Sequence, residues 1–143
     1  MGASPPTPRT IDDTQRASCI RVLRERLQSH VEILIGCLHG SFHEGLPFRD
    51  VDVAVWVDPA SCVAGDWTYA ADLATELSRA AGLPVDVQVL NGAPLAFRYH
   101  ALKGEPLVVR DEDFLADLRA ATWDAYFDFQ TFARQYWREV THG

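Results

Sequence analysis

Asp50-Val51-Asp52-Val53-Ala54-Val55-Trp56-Val57 alternates β-branched residues with others, and Pro59 closes the run. Side chains two apart share one face of a strand. Val51, Val53, Val55 and Val57 therefore form a comb for a buried core, while Asp50, Asp52, Ala54 and Trp56 take the other face. Two carboxylates side by side at the head of a strand repel unless they are protonated, solvated or bridged by cations. This stretch predicts both a central strand and a place where positive charge is wanted.

Downstream, Val85 to Leu90 repeats the arrangement, with Val85, Val87 and Val89 on one face and Asp86, Gln88 and Leu90 on the other. Between the two strands, Trp67 to Ala81 reads as an amphipathic helix closed by Gly82 and Pro84. Upstream, Val31 to Leu38 is an apolar run of strand length that ends at Gly40-Ser41. Before it, Ile20, Leu23, Leu27 and Val31 recur at helical spacing, and Asp12 or Asp13 is placed to cap the start. Past Asn91-Gly92, Pro94 opens a helix to about Lys103, Gly104 ends it, and Pro106 to Val109 is a short strand. From Asp111 and Asp113 a long helix rich in aromatics runs to about Val140. Residues 1–10, with three prolines, are expected to form a loose tail, and 11–143 a single domain. The expected fold is an α/β (α+β) sandwich: a small mixed sheet, flanking helices and a long C-terminal helix.

Composition narrows the partners. The chain has 143 residues, 48% of them apolar, and a formal charge of −7. That acidity gives no support to a broad DNA- or RNA-binding surface, so no direct nucleic-acid contact is expected. A nucleoside triphosphate is compatible, because divalent cations neutralise both its phosphates and protein carboxylates. Cys19, Cys37 and Cys62 lack the paired spacing of a zinc site or a disulfide framework and read as free thiols. No signal-like or membrane-length apolar stretch is present, so a cytoplasmic protein without a membrane partner is expected.

If the two alternating strands are neighbours, their ~5 Å spacing lets Asp50, Asp52 and Asp86 converge on two metal ions ~4 Å apart. Hard oxygen ligands at that separation suit phosphoryl or nucleotidyl transfer. Gly40 permits close backbone approach, and Ser41 offers an amide and a hydroxyl to phosphate oxygens where a helical turn begins.

His39-Gly40-Ser41-Phe42-His43-Glu44-Gly45, followed by Asp50-Val51-Asp52-Val53-Ala54-Val55, resembles the Gly-Ser and Asp-x-Asp signature of the DNA polymerase β-like nucleotidyltransferases. Within that superfamily it is most similar to the minimal nucleotidyltransferase (MNT) antitoxins. Val85 to Pro94 resembles the family's third-carboxylate strand and following turn, and Leu102-Lys103-Gly104 is also similar. The loop between Ser41 and Asp50 is shorter than is usual in the family and carries His43 and Glu44. The resemblance implies a polymerase β-like fold, with Asp50, Asp52 and Asp86 as catalytic metal ligands for two Mg2+ ions and Gly40 and Ser41 as the nucleotide-binding turn. It further implies ATP as substrate and, as partner, a small helical HEPN-domain ribonuclease toxin whose tyrosine receives AMP.

Other readings stay open. The chain could neutralise such a toxin by binding alone, or modify a small molecule. Arg49, Arg98 and Lys103 read as solvated charges as readily as triphosphate contacts, and His39 and His43 as polar loop residues. The aromatics of the terminal helix exceed what one packed face needs, which suggests a surface for the toxin or for a second copy in a homo- or hetero-oligomer.

Overall fold

The computed structural model describes residues 7–61, 63 and 65–142. The elements run α1 (Asp13–Gln28), β1 (Ile33–His39), α2 (Gly40–His43), β2 (Val51–Val57), α3 (Tyr69–Ala81), β3 (Val85–Val89), α4 (Leu95–Leu102), β4 (Glu105–Val109) and α5 (Glu112–His142). The four strands form one mixed sheet in the order β3-β2-β1-β4. β1 is antiparallel to β2 and β4, and β2 is parallel to β3 through the α3 crossover. A parallel pair needs such a crossover, whereas β1 and β2 turn back on each other through the short α2 segment.

Both faces of the sheet are covered. The comb Val51, Val53, Val55 and Val57 packs with Leu23 and Leu27 of α1 and Leu73 and Leu77 of α3. On the other face Ile35, Cys37 and Ala54 pack with Ala101 and Leu102 of α4 and Leu115 of α5, and Trp56 lies edge-on to Phe114. Burial on this scale stabilises each fully buried aliphatic side chain by about 1.5–3 kcal/mol. A bulge between Ile33 and Ile35 puts these two residues, which strict alternation would place on one face, into opposite layers.

α1 starts with a capping box, in which the Asp12 carboxylate accepts from the Gln15 amide while the Gln15 side chain accepts from the Asp12 amide. Several expected boundaries shift. Val31, read as the last member of the α1 stripe and the first of the strand, belongs to neither and is 79% exposed. The helix stops at Gln28 because Ser29 turns its amide and hydroxyl back onto the Arg26 carbonyl. β2 begins at Val51, not Asp50, because its partner β1 ends at His39, opposite Asp52. α3 begins at Tyr69, not Trp67, since the Asp66 carboxylate takes the amide and hydroxyl of Thr68 in a turn ahead of the helix.

Residues 1–6 of the expected tail lie outside the described residues. Arg9 exchanges two backbone hydrogen bonds with Phe48, at 2.8 and 3.0 Å. Cys19 and Cys37 are buried free thiols, and burial raises both pKa values, that of Cys37 to about 11. Cys62 lies outside the described residues. Among the described residues, no helix is long and apolar enough to cross a membrane.

Candidate active site

The acidic residues lie at the leading ends of β2 and β3. Parallel pairing puts Asp52 in register with Asp86, and antiparallel pairing puts His39 opposite Asp52. His39, Asp52 and Asp86 thus form one row across three strands. Asp50 lies two residues ahead in the exposed approach to β2. A cavity of about 290 Å³ opens here, lined by Ser41, Phe48, Arg49, Asp50 and Asp52 among others. Asp86 is beside Asp52 but is not part of that lining.

The turn leaving β1 is built around Asp52. Gly40 has φ +79°, a conformation that disfavours any side chain, and a Cβ at this position would overlap the Asp52 Oδ2. Glycine is therefore required here twice over, and one of its functions is to seat the carboxylate. Behind the turn, Phe42 is fully buried and edge-on to Phe48, with ring centroids 4.9 Å apart. Arg16 of α1 clasps the turn from below: its guanidinium donates to the carbonyl of Phe42 and to that of His43 at 2.9 Å, and lies 4.6 Å from the centre of the Phe42 ring. The bond to His43 satisfies a carbonyl that the one-turn helix leaves open, and the one to Phe42 adds to that carbonyl's bond from the Gly45 amide.

Gln88 links the row. Its Nε2 donates to Asp86 Oδ2, and its Oε1 lies 3.2 Å from His39 Nε2, which makes that nitrogen the donor. His39 also lies edge-on to Phe97. Burial lowers the His39 pKa against the opposing pull of Asp52, Gln88 and Asp86. Burial raises that of Asp52, with Asp86 and Asp50 adding to the effect against His39 and Gln88. Among the described residues, no lysine or arginine forms an ion pair with any of the three aspartates.

This uncompensated negative charge, made of hard oxygen donors with Asp52 half-buried and Asp50 and Asp86 exposed, fits a divalent cation. As the side chains stand, no three His, Cys, Asp or Glu among the described residues are gathered closely enough to hold one; Asp86 is engaged by Gln88. Of the basic residues weighed from sequence, Arg49 lines the cavity, whereas Lys103 lies over the Tyr99 ring at 4.6 Å. Arg98 Nε and His43 Nδ1 are buried without a hydrogen-bond partner.

A family model described as polymerase beta, nucleotidyltransferase, matches residues 22–113, well over half of the chain and the whole span from β1 to β4. The chain belongs to the polymerase β nucleotidyltransferase family. No curated protein sequence matches it. Among solved structures, it is similar to a chain of a toxin–antitoxin complex with AMP-PNP, at TM-score 0.64 and 21% identity over 88% of this chain and 98% of the other. A toxin–antitoxin MntA–HepT structure matches at TM-score 0.60 and 18% identity, over 91% and 99%. A third structure holds a tri-AMPylated Shewanella oneidensis HEPN toxin with an MNT antitoxin, and matches at TM-score 0.61 and 19% identity, over 92% and 99%. At these identities the likeness carries the fold.

Sequence reading missed Arg16 and Gln88. Arg16 sits on the helix before the motif, and nothing in its spacing marks it as a clasp. Gln88 was legible in part, since its phase on β3 places it on the Asp86 face.

Proposed function

We propose that this nucleotidyltransferase is the antitoxin of a toxin–antitoxin pair and transfers AMP from ATP to a tyrosine of a small helical HEPN-type partner. The observation that carries the reading is the in-register Asp52–Asp86 pair, with Asp52 set against the Gly40 turn. The solved complexes similar in fold, one of which contains an AMPylated toxin, support it.

In this reading Gly40 and Ser41 receive the triphosphate through the backbone of the turn and the Ser41 hydroxyl. Asp50, Asp52 and Asp86 would hold two Mg2+ ions, whose chemistry when bound is neutralisation of the triphosphate and polarisation of the α-phosphorus. The tyrosine oxygen forms a bond to that phosphorus, the bond to the β-phosphate oxygen breaks, and pyrophosphate leaves. The phenolic proton passes to the Asp86 carboxylate and on to solvent. Gln88 holds Asp86 by its Oδ2 and ties it to His39.

Purified protein incubated with α-labelled ATP, Mg2+ and the small helical protein encoded beside it should label a tyrosine of that protein, and Asp52→Ala should abolish the label. Absence of labelling, or equal labelling by Asp52→Ala, removes the enzymatic reading. A second reading, neutralisation by binding alone, draws on the uncovered aromatic face of α5. It gains if Asp52→Ala still silences the toxin.

A further inference from the structure

α5 outruns its own domain. Its 31 residues span about 46 Å. Over the first half, the face formed by Leu115, Leu118, Thr122 and Tyr126 is covered: Leu115 and Thr122 are buried, and Tyr126 stacks on Tyr99 of α4 with ring centroids 3.9 Å apart. At 100° per residue the same face continues as Phe129, Ala133, Tyr136, Trp137 and Val140. The large side chains of this continuation are 54–62% exposed, because the covering atoms end and the pattern does not.

We propose that this continuation is the docking face for a helical partner that presents an apolar groove between two of its helices, with acidic side chains along one rim. Three features select that occupant. The stripe is about 100° wide, the width that packs into a bundle rather than along a two-stranded seam. Ala133, small between Phe129 and Trp137, leaves a shallow open groove along the helix where a side chain of the partner can lie. Arg134 and Arg138 border that groove, and neither forms an ion pair among the described residues.

A second copy fits less well. Two α5 helices packed antiparallel about this stripe bring like edges together and set arginine against arginine. Sliding the pair until Arg138 meets Asp124 drives the second helix onto the segment that α4 already covers. The four large side chains of the stripe, Phe129, Tyr136, Trp137 and Val140, offer roughly 500 Å². That is more than half of the ~800 Å² per partner of a standard stable interface, and Gln130, Arg134 and Arg138 border it.

The surface rests on the partnership proposed above, so the probe is the small helical protein encoded beside this chain, titrated against the full-length protein. Phe129→Glu and Trp137→Glu should each weaken binding by ~30-fold or more, while Gln135→Glu on the far face binds as wild type and circular dichroism reports unchanged helix content for all three. Arg134→Glu combined with Arg138→Glu should weaken binding and flatten its salt dependence. If wild type binds and both stripe variants bind equally well, the partnership stands and this surface is overturned. If wild type does not bind, the partnership itself fails and the surface with it. Tighter binding by the double arginine variant refutes the acidic rim. A wild-type dimer in sedimentation velocity that Trp137→Glu splits identifies a second copy as the occupant and overturns the proposal.

Discussion

Replacing Gly40 by alanine introduces two separable penalties. The first is conformational: at φ +79° an alanine is disfavoured by about 1–2 kcal/mol. The second is steric, because the new methyl overlaps the Asp52 carboxylate, and relieving such overpacking costs a further ~1–3 kcal/mol. Gly45→Ala is the built-in control. Gly45 has nearly the same φ, +77°, but no atom lies within 4 Å of the place its methyl would take, so it carries only the first penalty. Urea denaturation with an unchanged m-value should show Gly40→Ala less stable than Gly45→Ala by the steric amount. In an Asp52→Ala background the excess should vanish, giving a coupling of about 1–3 kcal/mol. With Asp52 in its proposed catalytic role, nucleotidyl transfer should fall by roughly 100-fold or more in Gly40→Ala, since displacement of a reacting group has that effect, and should survive in Gly45→Ala. Equal destabilisation by the two substitutions, or an excess that persists without Asp52, would refute the idea that Gly40 seats this carboxylate.

Two further outcomes follow from contacts elsewhere. His30 bridges Glu32 at 3.0 Å and Glu76 at 2.8 Å, while Tyr69 donates to Glu32 at 2.7 Å. Burial opposes the charged imidazole, but the bonds and charges of Glu76 and Glu32 outweigh it and raise the His30 pKa above 6.5. Burial also opposes the Glu32 carboxylate, and its bonds from Tyr69, its own backbone and His30 lower it below 4.5. A raised histidine contributes stability below its unfolded pKa and loses it as pH rises through the folded value; a lowered glutamate contributes above its unfolded pKa and loses it on acidification. The deficit of His30→Gln relative to wild type should therefore be greatest near pH 5–6, on the order of 1 kcal/mol for so partly exposed a cluster, and should shrink by pH 8.5; a deficit independent of pH would refute it. Arg16→Ala should lower stability by about 1–3 kcal/mol by stranding the His43 carbonyl and leaving that of Phe42 only its bond from the Gly45 amide, and should reduce transfer although Arg16 is remote from the aspartates in sequence. Arg16→Lys should rescue little, because one ammonium cannot reproduce the forked contact; full rescue would show that charge alone matters.

Much of the architecture is legible in local pattern. Alternation over Val51–Val57 and Val85–Val89 identifies both strands and the phase of their carboxylates, because the period of two is a property of extended backbone itself. A helix cap at Asp12 or Asp13, the Gly82 stop and a helical turn beginning at Gly40-Ser41 are legible for the same reason, since each depends on bonds or dihedrals within a few residues, whereas the choice of Asp12 and its box with Gln15 came from the structure. Boundaries were less legible. Val31 and Asp50 continue an apolar or alternating pattern past the point where pairing ends, and only the neighbouring strand decides where that point lies.

The sequence by itself determined that Asp50 and Asp52 lie on one face of their strand, that Asp86 lies opposite its own valines, and that a Gly-Ser turn precedes them. Tertiary structure alone decided that β2 and β3 pair in parallel with Asp52 beside Asp86, that β1 brings His39 into the same row, and that Arg16 holds the turn from another helix. The physical reason is range. Side-chain phase is set within two residues, whereas strand pairing and the Arg16 clasp join segments about 30 residues apart, where core burial and loop closure choose among arrangements that the local pattern leaves equal.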